Sequence, residues 1–145
     1  MNIQRATLNE LDSLTEVFDL YRLFYEQESD LEGARDFLKD RLVNEESVVF
    51  LAFVENNPVG FVQLYPSFSS VSMKRSWVLN DLYVKESTRK KGIAEKLINK
   101  SIKFAEETGA KGISLETGKE NIKAQRLYEK IGFKRESNCF YYYSV

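Results

Sequence analysis

The sequence predicts an α/β (α+β) domain, a β-sheet carrying helices on both faces. Three observations lead there. Apolar residues recur at helical spacing from Leu8 to Leu42, the period shortens to that of strands from Ser47 to Val84, and beyond Arg89 helix and strand patterns alternate. At 145 residues and 43% hydrophobic content the chain is the size of one globular domain, so a single domain over residues 1–145 is expected.

Asn2 to Arg5 reads as a short first strand. Leu11, Leu14, Val17, Phe18, Tyr21 and Phe24 form the apolar stripe of a first helix that ends near Glu26-Gln27-Glu28-Ser29. Asp30 is an N-cap for a second helix with Leu31, Ala34, Phe37, Leu38 and Leu42 on its core face. Ser47–Val54 and Val59–Tyr65 are strands joined by the turn residues Glu55-Asn56-Asn57-Pro58. Pro66–Ser70 reads as a loop, and Lys74–Val84 as the next strand. A long helix follows Arg89–Ala94, with Ala94, Leu97, Ile98, Ile102 and Ala105 on one face and Gly109 as its stop. Lys111–Thr117 is a strand, Asn121 to Gly132 a helix with the stripe Ala124, Leu127, Tyr128 and Ile131, and Phe133–Ser144 is strand-like with a break at Ser137-Asn138.

Composition excludes several chemistries. Lys and Arg number 21 against 22 Asp and Glu, and no block of like charge occurs, so neither a nucleic-acid partner nor a membrane surface is expected. The chain has no histidine and one cysteine, Cys139. That removes Ser-His and Cys-His catalysis, a disulfide framework and the usual zinc sites, so no metal is expected. The longest apolar run, Val48–Val54, is too short to span a bilayer and the N-terminus lacks signal-peptide features; a cytoplasmic protein is expected.

The segment Arg89-Lys90-Lys91-Gly92-Ile93-Ala94 sets three cations before a helix N-terminus. That end already carries roughly half a positive charge, so an anion is the natural complement. Gly92 bends the backbone, and the free N–H groups of the first turn suit a pyrophosphate. The segment fits neither the Walker pattern nor the three-glycine dinucleotide fingerprint. Alone, it reads equally as a basic turn, capped by Ser87 or Thr88, that merely starts a helix. Likewise Asn121, Tyr128 and Gly132 read as N-cap, buried stripe and helix stop, although a half-buried tyrosine must place its hydroxyl.

Together, Asp81-Leu-Tyr-Val84, Arg89-x-x-Gly92-x-Ala94 and Asn121-x-x-Ala124-x-x-Leu127-Tyr128-Glu-Lys-x-Gly132-Phe133 resemble the GCN5-related N-acetyltransferase (GNAT) family. Residues 77–134 carry these motifs, and the element order matches over nearly the whole chain. Leu79–Val84 is most similar to the diamine and small-amine acetyltransferases and to yeast-type histone or D-amino-acid N-acetyltransferases. The resemblance implies a mixed, mostly antiparallel twisted sheet of six to seven strands with a V-shaped splay.

It further implies acetyl-CoA as co-substrate. The backbone of Arg89, Lys90, Lys91, Gly92, Ile93 and Ala94 would hold the pyrophosphate, and Leu82, Tyr83 and Val84 the pantetheine arm. Asn121, Ala124 and Tyr128 would also face the cofactor, with Tyr128 beside its sulfur. The implied reaction is direct attack by a primary amine of a small molecule, assisted by backbone N–H donors. An alkylammonium of pKa about 10.4 is only about one part in 2,500 free base at pH 7, a demand of about 4.6 kcal/mol. Asp81 is the first candidate to share that task and Glu116 the second. Asn80 stands where diamine enzymes commonly carry a glutamate, and an amide cannot take the proton. Tyr128, with an ordinary pKa near 10 against about 8.5 for a thiol, suits hydrogen bonding to developing sulfur charge better than full proton donation. A peptide or protein acetyltransferase and a catalytically idle acyl-CoA sensor are the alternatives. Tyr21, Tyr25, Glu26, Tyr65, Phe68 and Trp77 could line the amine entrance or simply pack the core. The aromatic run Phe140–Tyr143 could serve a homodimer interface as readily as a core.

Overall fold

Thr7 begins the helical half of the chain by local hydrogen bonding. Its Oγ1 accepts from Asn9 N (3.2 Å) while Glu10 Oε1 accepts from Thr7 N (2.8 Å), a reciprocal cap that starts a 3₁₀ turn at Leu8–Glu10 and leads into helix α1, Leu11–Phe24. Helix α2, Leu31–Val43, starts at Asp30, whose Oδ1 accepts from Gly33 N at 2.9 Å. Buried Asp19 of α1 accepts from Ser29 Oγ (2.7 Å) and Asp30 N (2.9 Å), which fixes the turn between the two helices.

The computed structural model describes residues 1–145. It contains one five-stranded sheet in the order β1 (Asn2–Arg5), β2 (Val48–Val54), β3 (Asn57–Ser69), β4 (Lys74–Val84) and β5 (Ile113–Ser114). The first three pairings are antiparallel and the last, β4 with β5, is parallel. Helix α3, Ile93–Glu107, precedes β5, and α4, Ile122–Ile131, follows it. No helix is long and apolar enough to cross a membrane.

Each face of the sheet has its own core. Alternate strand residues Phe50, Val62, Leu64, Trp77 and Leu79 pack with Ile93, Leu97, Ile98 and Ala105 of α3. On the other face Val49, Leu51 and Phe61 pack with Leu14, Val17 and Phe18 of α1 and Leu38 of α2. Burial of each such side chain contributes about 1.5–3 kcal/mol, so the helices are held by the sheet rather than by propensity.

Four expectations are corrected. The sheet has five strands rather than six to seven. Pro66–Ser70 is not a loop: β3 continues to Ser69, and Pro66 is tolerated because it lies beyond Leu64, the last β3 partner of Val48 in β2. The strand expected over Lys111–Thr117 shrinks to Ile113–Ser114. It pairs only with Trp77 and Val78, because Asn80 of β4 is an unpaired bulge residue and a bulge ends regular pairing. Phe133–Ser144 forms no strand, since the two-residue edge of β5 offers almost no ladder to extend.

Candidate active site

The bulge at Asn80 also decides which way the site faces. Before it, Trp77 and Leu79 point to the α3 side; after it, Leu82 and Val84 do, so Asp81 and Tyr83 turn toward α1. Gly60 pairs with Val84, and a Cβ there would lie 2.7 Å from the Tyr83 carbonyl oxygen, so β3 and β4 meet closely at the C-terminal end of β4. Beyond Val78 the other edge of β4 has no strand partner, which leaves the stretch containing Leu82–Val84 open on that side.

Asp81 is only 7% exposed yet fully engaged. Its Oδ1 accepts from Tyr21 Oη (2.9 Å) and Asn80 Nδ2 (3.1 Å), and its Oδ2 from Gln63 Nε2 (2.8 Å). The Oε1 of buried Gln63 has no partner in the chain, a spare acceptor beside the carboxylate. Burial, followed by the Asp81 charge and hydrogen bond, pushes the Tyr21 phenol far above its ordinary range. Burial and then Asp81 raise Tyr65 to about 12.

Removing the Tyr21 hydroxyl in Tyr21→Phe leaves Asp81 two donors, and a loss of about 1–2 kcal/mol in urea unfolding is expected; an unmoved midpoint would deny the bond any structural weight. Both phenols hold their protons more tightly folded than unfolded. They therefore contribute stability that is complete below pH 10 and is lost as pH rises through about 12 for Tyr65 and higher for Tyr21. Phenolate absorbance of the native protein should rise later than that of the urea-unfolded chain, and coincident curves would contradict the network.

The loop after β4 has a different character. A 3₁₀ turn, Glu86–Thr88, precedes Arg89, and Lys90 (φ 67°) and Gly92 (φ 76°) are both left-handed. None of the backbone N–H groups of Lys90, Lys91, Gly92, Ile93, Ala94 and Glu95 finds an acceptor; the first helical bond is Lys96 N to Gly92 O, 3.1 Å. Neither Ser87 nor Thr88 caps α3, whose N-cap is Gly92 with no side-chain bond; the Thr88 hydroxyl donates instead to Lys85 O at 3.0 Å. A Cβ on Gly92 would meet nothing within 4 Å, so the space beside this glycine is open. A run of unpaired amides at a helix N-terminus is suited to meet an anion. Lys90 and Lys91 are exposed, whereas the Arg89 side chain is already committed. Its Nε donates to Val84 O (2.8 Å) and its guanidinium lies over Phe24 (5.3 Å) and Tyr83 (5.6 Å), bracing the loop against β4 and α1.

Helix α4 supplies the other wall. Asn121 Oδ1 accepts from Ala124 N (3.2 Å), so this asparagine caps its own helix. Lys130 Nζ, 3.1 Å from Glu95 Oε2, ties the last turn of α4 to the first turn of α3. Tyr128, half-buried, packs against Phe133 at 6.0 Å between ring centroids. Burial and then the nearby Tyr25 raise its pKa, which keeps the phenol protonated and makes outright proton loss still harder. Tyr25 follows the last residue of α1, with Tyr21 (5.1 Å) and Phe24 (5.4 Å) edge-on to it.

The structure therefore brings together Asp81, Leu82, Tyr83, Val84 and the Arg89–Ala94 loop at the end of β4, and sets Tyr128 of α4 against Phe133 and the core on the α3 side. Glu116 is exposed and joins none of these contacts. Of the entrance candidates, Tyr21 and Tyr65 surround Asp81. Trp77 instead belongs to the opposite core, its indole against Phe104 and its Nε1 donating to Thr108 Oγ1 at 3.0 Å. Gln63 is the residue that sequence reading missed; its signal was a lone amide in the apolar strand Val59–Tyr65. No group of three or more His, Cys, Asp or Glu side chains is placed to hold a metal.

A mixed five-stranded sheet whose fourth strand runs into an uncapped glycine turn at the start of α3, with a tyrosine-bearing helix after β5, is an acetyltransferase-type fold. Residues 14–133 match the model of the Acetyltransferase (GNAT) family, and the chain belongs to that family as an acetyltransferase. It is 44% identical over 142 residues to the uncharacterized N-acetyltransferase YhfO of Bacillus subtilis (strain 168), covering 98% of this chain and 95% of that one. A crystal structure of a probable acetyltransferase superposes with a TM-score of 0.91 at 44% identity, covering 100% of this chain and 97% of the other. An aminoglycoside N-acetyltransferase in complex with CoA shares the fold at a TM-score of 0.83 and 17% identity, covering 99% and 93%.

Proposed function

We propose that this acetyltransferase carries the acetyl group of acetyl-CoA to a primary amine of a small molecule. The observation that carries the reading is the row of six unpaired N–H groups from Lys90 to Glu95, with open space beside Gly92. These residues fit a pyrophosphate: directional donors, a helix N-terminus and two free lysines meet its charge. The open edge of β4 at Leu82–Val84 offers main-chain groups to an extended arm, and Asn121 and Ala124 begin the helix that flanks it. Acetyl-CoA supplies, when bound, an activated thioester carbonyl.

The protein's own residues then divide the work. Asp81, recessed among Tyr21, Tyr65, Asn80 and Gln63, suits one alkylammonium, with Gln63 Oε1 as a further acceptor. Asp81 would receive or relay the ammonium proton; as the amine nitrogen bonds to the acetyl carbon and the carbon–sulfur bond breaks, the nitrogen's second proton would pass to solvent and CoA would leave as its thiolate. Backbone N–H groups of β4 stabilise negative charge on the carbonyl oxygen, and the Tyr128 hydroxyl donates a hydrogen bond to the departing sulfur. This reading keeps a single domain over residues 1–145, a cytoplasmic setting and a homodimer.

A second reading has a specific observation behind it. Asn80 cannot accept a proton and both oxygens of Asp81 are occupied, which would suit a non-catalytic acyl-CoA sensor. Thiol release from acetyl-CoA, measured against diamines, amino acids, aminoglycosides and lysine peptides, separates the two. Turnover on a small amine is expected. Turnover on peptides alone would move the acceptor to proteins, and tight CoA binding with no turnover would establish the sensor.

A further inference from the structure

The surface that leads from solvent to Asp81 is a row of aromatic rings. Tyr21, whose hydroxyl donates to Asp81 Oδ1 at 2.9 Å, has Tyr25 (5.1 Å between ring centroids) and Tyr83 (6.0 Å) edge-on to it. Phe24 continues the row, 5.4 Å from Tyr25 and 6.3 Å from Tyr83. Exposure rises outward along it: Asp81 is buried, Tyr21 and Tyr83 are half-buried, and Phe24 and Tyr25 are each 60% exposed. Contiguous aromatics left open to water mark a place where an apolar group binds.

Charge decides what that group carries. A carboxylate accepts about four hydrogen bonds, and Asp81 already accepts from Tyr21, Asn80 and Gln63. The remaining acceptor place and the unpartnered Oε1 of fully buried Gln63 match the N–H groups of a single ammonium. Asp81 is the only carboxylate that bears on the Tyr21 and Tyr65 phenols, and Glu16 of α1 is paired with Lys85 Nζ at 3.7 Å. At its outer end the row meets a cation of the chain itself, the Arg89 guanidinium, 5.3 Å from the Phe24 centroid and 5.6 Å from that of Tyr83. A second ammonium carried outward along these rings would face that charge without a partner.

We propose that the acceptor is a primary monoamine with a neutral, flat apolar body, its ammonium at Asp81 and Gln63 and its body along Tyr21, Tyr25 and Phe24. The inference rests on the acyl-transfer reading for the fate of the amine, but not for its recognition. An aryl body packs on the exposed rings while the adjoining ammonium meets the one carboxylate, so both ends of the molecule are satisfied together. A diamine, a polyamine or an aminoglycoside leaves a further ammonium beside Arg89. An α-amino acid is rejected at the other end, because its carboxylate would lie against that of Asp81.

Three probes test this: 2-phenylethylamine, hexylamine and 1,6-diaminohexane, the last two differing by one terminal charge. Each is assayed for acetyl transfer and, by calorimetry, for binding to the protein saturated with CoA. Both readouts should fall in the order given, with at least about a tenfold gap between hexylamine and the diamine. Tyr25→Ala, at an exposed position, should raise KM for 2-phenylethylamine about fivefold while kcat and CoA affinity stay within about twofold. A diamine bound or turned over as well as hexylamine would bring in a second carboxylate, such as Glu26 beside Tyr25, and overturn the monoamine assignment. An unmoved KM in Tyr25→Ala would overturn the aromatic surface. No turnover on any amine, with 2-phenylethylamine still bound more tightly than the diamine, would defeat the acyl-transfer reading and uphold this one; absence of binding by all three would defeat this one.

Discussion

Gly92→Glu is expected to weaken CoA binding at least 100-fold while leaving the fold intact. The backbone at Gly92 has φ 76°, a region that costs an L-residue roughly 1–2 kcal/mol, but a Cβ there meets nothing within 4 Å, so no packing is lost. The glutamate would stand in the open space beside Gly92 and set its negative charge where the pyrophosphate belongs. A 100-fold loss corresponds to about 2.8 kcal/mol, well within the reach of one anion site. Gly92→Ala isolates the conformational part and should weaken binding less than tenfold. Calorimetric titration with CoA, alongside thermal unfolding, checks both; affinity within threefold of the parent for Gly92→Glu would refute the pyrophosphate assignment.

The second large effect is on chemistry rather than binding. Tyr128→Phe should lower turnover by about 10²-fold, the lower end of what a positioned proton donor contributes, with CoA affinity changed by less than threefold. The side chain is half-buried against Phe133, and burial holds its proton firmly, so at neutral pH it acts as an intact hydrogen-bond donor. Phe keeps the packing and removes only the hydroxyl. Equal loss of affinity and turnover would make Tyr128 a cofactor contact, and unchanged turnover would remove it from the mechanism.

Much of this arrangement was legible because local rules coincide with the fold. Asp30, Asn121 and Gly132 announce helix ends by capping chemistry, and the stripes of α1 and α3 repeat at 3.6 residues, so those elements fall where the spacing puts them. The glycine turn was legible because adverse charge at a helix N-terminus demands an explanation. What escaped depends on residues distant in sequence. The bulge at Asn80 is defined only by its register with Gln63 and Leu64, and it is this that turns Asp81 toward Tyr21, 60 positions away. Arg89 looked like a phosphate ligand, but its partners, Phe24 and Val84, become visible only when α1 and β4 are brought together. The C-terminal segment, expected to be strand-like, forms no strand, because propensity without an edge to pair with makes none.

One physical feature, the row of free amides from Lys90 to Glu95, carries the proposed function. Amide chemical shifts of the ¹⁵N-labelled protein, followed while CoA is added, report on that row directly. The amides of Lys90–Glu95 should show the largest shifts in the chain, with smaller ones along Leu82–Val84 and at Tyr128. Saturable binding that leaves Lys90–Glu95 unmoved and shifts another surface would contradict the assignment of this loop.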